Sequence, residues 1–173
     1  AAVIGTGVWG KNHARVYASL NDVHLYGIVD QDETRAKEVG DLYQTNYFTD
    51  INDILNDSTI DLISICTPTI THAKIAAAAL NMGKNVLVEK PMTNTLREAI
   101  ELIRLAEKNN VKFTVGFVER FNPAVQEAFK HIIDFQNKSS STVVGIVLYM
   151  GENLLSFGDE KSVRYAVPMG VFF

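Results

Sequence analysis

Two short segments of this chain carry residue types that could do chemistry together. Val3-Ile4-Gly5-Thr6-Gly7-Val8-Trp9-Gly10 is an apolar run broken by three closely spaced glycines. Val86-Leu87-Val88-Glu89-Lys90-Pro91 is a later apolar run that ends on an acid, a base and a proline. Each glycine has a task if the first segment is a strand-to-helix turn. Gly5 lets the chain leave the strand tightly, Gly7 lets backbone approach a pyrophosphate, and Gly10 lets the following helix pack on the sheet. The helix start, at Val8 and Trp9, then offers unpaired N–H groups and a partial positive charge to phosphates. Asp30 follows Gly10 by about 20 residues, at the end of the next apolar run. An acid there accepts hydrogen bonds from both ribose hydroxyls of an adenosine and repels a 2′-phosphate. The set points to a dinucleotide, and to NAD rather than NADP.

Lys90 would stand over the same crevice, at the carboxyl end of a later strand. Its ammonium could take a hydroxyl proton, or stabilise an alkoxide in the reverse direction. Glu89 could orient Lys90 or hold the nicotinamide end. The bare tripeptide fits a surface Glu-Lys pair before a turn equally well, and Pro91 admits a cis Lys90–Pro91 bond. Cys66-Thr67-Pro68 closes another apolar run, and its backbone and the Thr67 hydroxyl could line the cofactor. Cys66 itself reads as a small buried side chain, with no positioned base to activate it. His72 stands at an expected helix start, where it faces either the nicotinamide ribose or solvent. His13 reads as locally packed or hydrogen-bonded. No histidine, cysteine or carboxylate grouping has metal-ligand spacing.

The elements that must hold these residues alternate regularly. Strands are expected at Ala2–Gly5, Val23–Asp30, Asn46–Phe48, Leu62–Cys66, Asn85–Glu89 and Lys112–Phe117. Helices are expected at Trp9–Leu20, Glu33–Tyr43, Ile51–Leu55, His72–Met82 and Leu96–Asn109. Runs such as Leu62-Ile63-Ser64-Ile65-Cys66 are almost continuously apolar, as a strand covered on both faces must be. Strand–helix alternation with short connections predicts an α/β fold, a doubly wound parallel sheet. Asp32 is the expected N-cap of the second helix, and Gly83 ends the fourth. After residue 118 the alternation stops. Pro123, capped by Asn122, opens a helix to about Lys138. Ser139-Ser140-Ser141 reads as a loop and Thr142–Met150 as a strand. A dinucleotide-binding domain is therefore expected over 1–118, and the start of a second, incomplete α/β substrate domain over 119–173.

Composition narrows the partners. The chain has 173 residues, 47% of them hydrophobic, and a net charge of −4. That balance gives no electrostatic case for nucleic acid or an anionic membrane. No apolar run approaches the roughly 18 residues of a membrane helix. One cysteine excludes an internal disulfide and fits a cytoplasmic setting. Ala1-Ala2 falls inside the first strand and Phe172-Phe173 closes the chain on an apolar pair, so the sequence reads as a fragment.

Three stretches, taken in order, carry a resemblance: the run from Ala2 through the glycine turn to His13, Cys66-Thr67-Pro68-Thr69 with His72, and Val86 to Pro91. The chain resembles the Gfo/Idh/MocA oxidoreductases from its first residue to about Met150. The resemblance implies a Rossmann domain followed by an α/β domain with an open, mostly antiparallel sheet. It implies NAD(P)-dependent oxidation or reduction of a hydroxyl on a sugar, cyclitol or sugar nucleotide. It also implies a homo-oligomer packed through the second sheet. Lys90 matches the family's lysine that assists proton transfer and positions substrate. The segment Gly116 to Val125 is most similar to a sugar-nucleotide branch that includes UDP-N-acetylglucosamine 3-dehydrogenases, and there Arg120 and Asn122 could approach cofactor or substrate. The resemblance implies, too, an aspartate and a histidine along a helix of the second domain. Gly151–Phe173 supplies no such pair, so the chain is expected to bind NAD and turn over poorly. A non-catalytic NAD-binding regulatory module is the alternative.

Overall fold

The computed structural model of the chain describes residues 1–138. The expected loop at 139–141, strand at 142–150 and tail at 151–173 lie outside them. The chain divides into two units, Ala1–Phe117 and Val118–Phe173. Among the described residues, the first unit holds six strands: β1 (Ala2–Ile4), β2 (Gly27–Val29), β3 (Asn46–Phe48), β4 (Leu62–Ile65), β5 (Asn85–Val88) and β6 (Phe113–Val115). Its helices are α1 (Val8–Ser19), α2 (Glu33–Tyr43), α3 (Asn52–Leu55), α4 (Thr69–Asn81) and α5 (Leu96–Asn109). The second unit begins with a 3-10 turn, Val118–Phe121, and α6 (Pro123–Lys138). No helix among the described residues is long and apolar enough to cross a membrane.

All strand pairs are parallel, in the order β3-β2-β1-β4-β5-β6. Strand order reverses on either side of β1, which is where a doubly wound sheet opens its crevice. Alternate residues face opposite layers. Ala2, Ile4, Val29, Ile63, Ile65, Val86 and Val88 pack beneath α3, α4 and α5. Val3 and Ile28 pack against Ala14 and Tyr17 of α1 and Val39 of α2. Ile28, Ile63 and Ile65 are wholly buried, each contributing about 2 kcal/mol of transfer free energy. Ala76 and Ala79, also wholly buried, keep α4 close to the sheet.

Helix ends are set locally. Asp32 accepts the Arg35 N–H at 3.2 Å and starts α2. Thr95 and Glu98 form a reciprocal capping box that starts α5. Two boundaries differ from expectation by three residues or more. β2 spans only Gly27–Val29, because Val23 joins a turn that donates its N–H to the Leu20 carbonyl. α4 begins at Thr69, with Pro68 as its cap, so His72 lies inside the first turn.

The glycine turn and the helix it launches leave no room between them for a side chain. A Cβ on Gly10 would fall 1.7 Å from the Gly5 carbonyl oxygen. Gly5 has φ +91 and faces the Cys66 carbonyl, which a Cβ would meet at 2.8 Å. Gly10→Ala should therefore cost at least about 3 kcal/mol of stability in urea unfolding, by forcing α1 off the sheet. A loss under about 1 kcal/mol would show that α1 can tilt freely there.

Candidate functional site

Strand register builds the site. Val29, Ile4, Ile65, Val88 and Val115 are successive partners across the sheet. The residues one step further along each strand therefore form a row on the carboxyl edge: Asp30, Gly5, Cys66, Glu89 and Gly116. Backbone bonds hold that row, from Gly5 N–H to Val29 at 2.7 Å, Cys66 N–H to Ile4 at 2.8 Å, and Glu89 N–H to Ile65 at 2.9 Å. Above it stands the start of α1, with Gly7 as an N-cap that has no side chain to cap the helix.

The residues present fit a dinucleotide. A Cβ on Gly7 would meet no atom within 4 Å, so the turn is open on the side where a pyrophosphate would approach the helix dipole. Val8 and Trp9 are exposed at the same mouth. Thr6, which sequence reasoning did not single out, is buried. Its N–H and hydroxyl both donate to Asp30 Oδ2, at 2.8 and 2.6 Å. The Asp32 N–H donates to Asp30 Oδ1 at 3.0 Å, and Arg35 Nη2 reaches the same oxygen at 2.9 Å. Burial pushes the Asp30 carboxyl up. The bonds from the Thr6 hydroxyl and the Asp32 and Thr6 amides, with the Arg35 charge, outweigh burial and hold it below the usual range.

At the other end, Glu89 is buried, 4% exposed. Its Oε2 accepts the Lys90 N–H at 3.1 Å, and its Oε1 lies 3.1 Å from His13 Nε2. Both oxygens are engaged within the protein. Glu89 therefore orients the Lys90 backbone, and because its carboxylate is buried the surface-pair reading of Glu89-Lys90 is set aside. His13 Nδ1 lies 3.1 Å from Ser64 Oγ, which lies 2.6 Å from the Tyr17 hydroxyl. This network went unseen in the sequence, yet its signal was there. His13 and Tyr17 are four apart on one face of α1, and Ser64 interrupts an apolar strand on the face opposite Ile63 and Ile65.

Lys90 is exposed, and its Nζ lies over the Trp9 ring, 5.3 Å from the centroid. The lysine and the glycine turn, 81 residues apart, thus meet at one mouth. The Lys90–Pro91 peptide is cis. His72 departs from both expectations. Its ring is buried, with nitrogens 2.8 Å from the Thr67 carbonyl and 2.9 Å from the Pro91 carbonyl. Neither nitrogen is left for a ribose. His72 ties the Pro91 segment to the end of β4, because α4 starts early enough to carry the ring under both loops. Thr67 lies against the glycine turn, its methyl 3.0 Å from where a Gly5 Cβ would stand. Its hydroxyl accepts from that of Thr71 at 2.7 Å. Burial, reinforced by the Glu89 charge, pushes the Cys66 thiol up to about 12, which removes it as a nucleophile. Arg120 and Asn122 belong to the second unit, where Asn122 Oδ1 accepts the Ala124 N–H at 3.0 Å and caps α6. Among the described residues no group of three His, Cys, Asp or Glu could hold a metal.

Comparison with known proteins decides the family. The profile of the GFO_IDH_MocA oxidoreductase family, NAD-binding Rossmann fold, matches residues 1–117. The chain belongs to this family. It is 36% identical over 124 residues to UDP-N-acetylglucosamine 3-dehydrogenase of Acidithiobacillus ferrooxidans, covering 72% of this chain and 38% of that protein. It is 34% identical over 133 residues to scyllo-inositol 2-dehydrogenase (NAD(+)) of Bacillus subtilis, covering 76% and 39%. The structure of GenD2 from gentamicin A biosynthesis, in complex with NAD, superposes with a TM-score of 0.76 at 30% identity. That match covers 78% of this chain and 39% of GenD2. The chain thus spans about two fifths of the length of these relatives.

Two predictions follow from the site's buried bonds. Ser64→Ala would strand the Tyr17 hydroxyl and His13 Nδ1 and should cost about 2 kcal/mol in urea unfolding. A loss under about 0.5 kcal/mol would mean that water takes the hydroxyl's place. Asp30 favours the folded state while ionised, since its folded pKa lies below the unfolded value of about 3.9. The stability gap to Asp30→Asn should stay flat from about pH 7 to about pH 5 and close as pH falls below about 4. A gap that closes on the alkaline side would contradict the assignment.

Proposed function

We propose that this chain is the cofactor-binding part of an NAD-dependent oxidoreductase acting on a hydroxyl of a sugar, cyclitol or sugar nucleotide. The observation that carries the reading is the meeting of Lys90 with the open glycine turn at the carboxyl edge of a Rossmann sheet. The first N–H groups of α1 bind the pyrophosphate, and the Asp30 carboxylate binds the adenosine ribose. NAD, when bound, supplies the hydride acceptor. Lys90 Nζ takes the substrate hydroxyl proton, and returns it in the reverse direction. Glu89 and His72 fix the backbone on either side of Lys90, so only its side chain needs to move. Substrate contacts from the second unit, including any from Arg120 and Asn122, are part of this proposal, as is assembly into a homo-oligomer. The likeness to dehydrogenases of UDP-N-acetylglucosamine and inositols supports a polyhydroxylated substrate.

Titration of the chain with NAD, followed by calorimetry, tests the reading. Gly7→Ala should lower the melting temperature by no more than the exchange of glycine for alanine at a helix N-cap costs, because the new methyl meets no atom beyond its chain neighbours within 4 Å. It should weaken NAD at least about tenfold by occupying the pyrophosphate's approach. Unaltered affinity would remove the phosphate from this turn. In the full-length protein, Lys90→Ala should leave NAD affinity within about threefold and abolish NADH formation from sugars, cyclitols and UDP-sugars. Unchanged turnover would overturn the proton-transfer role. Tight NAD binding by the full-length protein with no turnover on any of them would favour the non-catalytic module.

A further inference from the structure

One oxygen of Glu89 could not fix the Lys90 backbone by itself. The last torsion of a glutamate is broad, so a carboxylate held at one oxygen still turns about its Cγ–Cδ bond. Here the second oxygen is held as well. Oε2 accepts the Lys90 N–H at 3.1 Å, and Oε1 lies 3.1 Å from His13 Nε2. Gly116 backs the same oxygen, since a Cβ there would stand 3.0 Å from it. The His13 ring is itself pinned and cannot follow a turning carboxylate. Its Nδ1 lies 3.1 Å from Ser64 Oγ on β4, and the Tyr17 ring meets it edge-on at 86°. The His13 and Glu89 side chains are only 12% and 6% exposed, so their bond is shielded from water and stronger for it.

We infer that His13 is a positioning residue for Lys90, acting through the Glu89 carboxylate. The inference rests on the proton-transfer role proposed above for Lys90. The Lys90 side chain has no buried anchor of its own, being exposed with Nζ over the Trp9 ring. A turn of the Glu89 carboxylate would release the Lys90 amide and shift its Cα. The four-carbon stem carries that shift out to Nζ, where a misplacement of about 1 Å costs roughly a hundredfold in rate. The position requires an imidazole, because one ring must accept from Ser64 on one side and donate to Glu89 on the other. An amide does only half of this. Asparagine reaches Ser64 and stops short of Glu89, whereas glutamine extends far enough to donate to Glu89 and gives up the Ser64 bond.

That difference separates positioning from support of the fold. Amide exchange of Lys90 is read by NMR on the chain labelled at its lysine nitrogens, and turnover and NAD affinity on the full-length protein. His13→Asn should speed exchange at the Lys90 amide at least about tenfold, the loss of a fixed carboxylate acceptor. It should lower kcat at least about tenfold while NAD affinity stays within about threefold. His13→Gln should melt lower, since Ser64 and Tyr17 lose their acceptor, yet keep Lys90 exchange and kcat within about threefold of the parent. Parent turnover in His13→Asn would overturn the inference, whatever the exchange rate. So would a kcat lost with no change in Lys90 exchange, or an equal loss of kcat and NAD affinity. Should His13→Asn fail to fold, His13→Gln decides alone, and a kcat below about a tenth of the parent's would overturn the inference. A full-length parent that turns over no sugar, cyclitol or UDP-sugar would remove the proposed reaction, and the inference with it.

Discussion

The level at which five parallel strands stop governs everything at the working edge of this sheet. Val29, Ile4, Ile65, Val88 and Val115 are held in register by backbone bonds, so the residues that follow them cannot be placed independently. Asp30, Gly5, Cys66, Glu89 and Gly116 emerge together, and the crevice is as straight as the row. Register is in turn fixed by burial. A slip of one residue would turn Ile63 and Ile65 toward α1 and drive Ser64 into the apolar layer under α4. The position of a carboxylate at one end and a lysine at the other therefore depends on isoleucines that touch neither.

Glu89 shows how a charge is kept under such a sheet. A buried carboxylate is costly unless its oxygens are paired, and here one oxygen takes the Lys90 amide while the other faces His13. One arrangement of protons satisfies the whole line: Tyr17 donates to Ser64, Ser64 to His13 Nδ1, and His13 Nε2–H to Glu89. Burial pushes the Tyr17 hydroxyl up, the more so beside Cys66 and despite its bond to Ser64, so it keeps the proton it donates. The line joins α1, β4 and β5. It thereby locks the helix that carries the glycine turn to the strand that carries the lysine. Gly116 belongs to the same construction, since a Cβ there would press on Glu89 Oε1 at 3.0 Å.

Most of the sheet was legible in the residues, because continuous apolar runs and helical stretches alternate with short connections. Asp32 as a cap, Pro123 at the start of α6 and the three tasks of the glycines could likewise be named from local chemistry. What was not legible is side-chain partnership across the fold. His13 and Glu89 are 76 residues apart, and no local pattern pairs them until the strands are in register. His72 was misread for a related reason. Its position in the sequence suggests a mouth, but an earlier start to α4 turns the ring inward. Thr6 was passed over as a spacer between glycines, although a hydroxyl beside a strand-end acid is the natural donor for it.

Buried and exposed charges divide the site by role. The anions, Asp30 and Glu89, are fixed by backbone amides and buried hydroxyl or imidazole groups, so their geometry exists before any ligand arrives. The cations, Arg35 and Lys90, lie on the outside, one against Asp30 and the other over Trp9. Each can leave its partner at small cost, because exposed ion pairs and cation–π contacts are worth about 1 kcal/mol or less. The acceptors are thus rigid, while the cations are free to reorient. The two cations differ in what they give up. Lys90 covers only an aromatic face, whereas Arg35 covers a carboxylate, so moving Arg35 uncovers a charge and moving Lys90 does not.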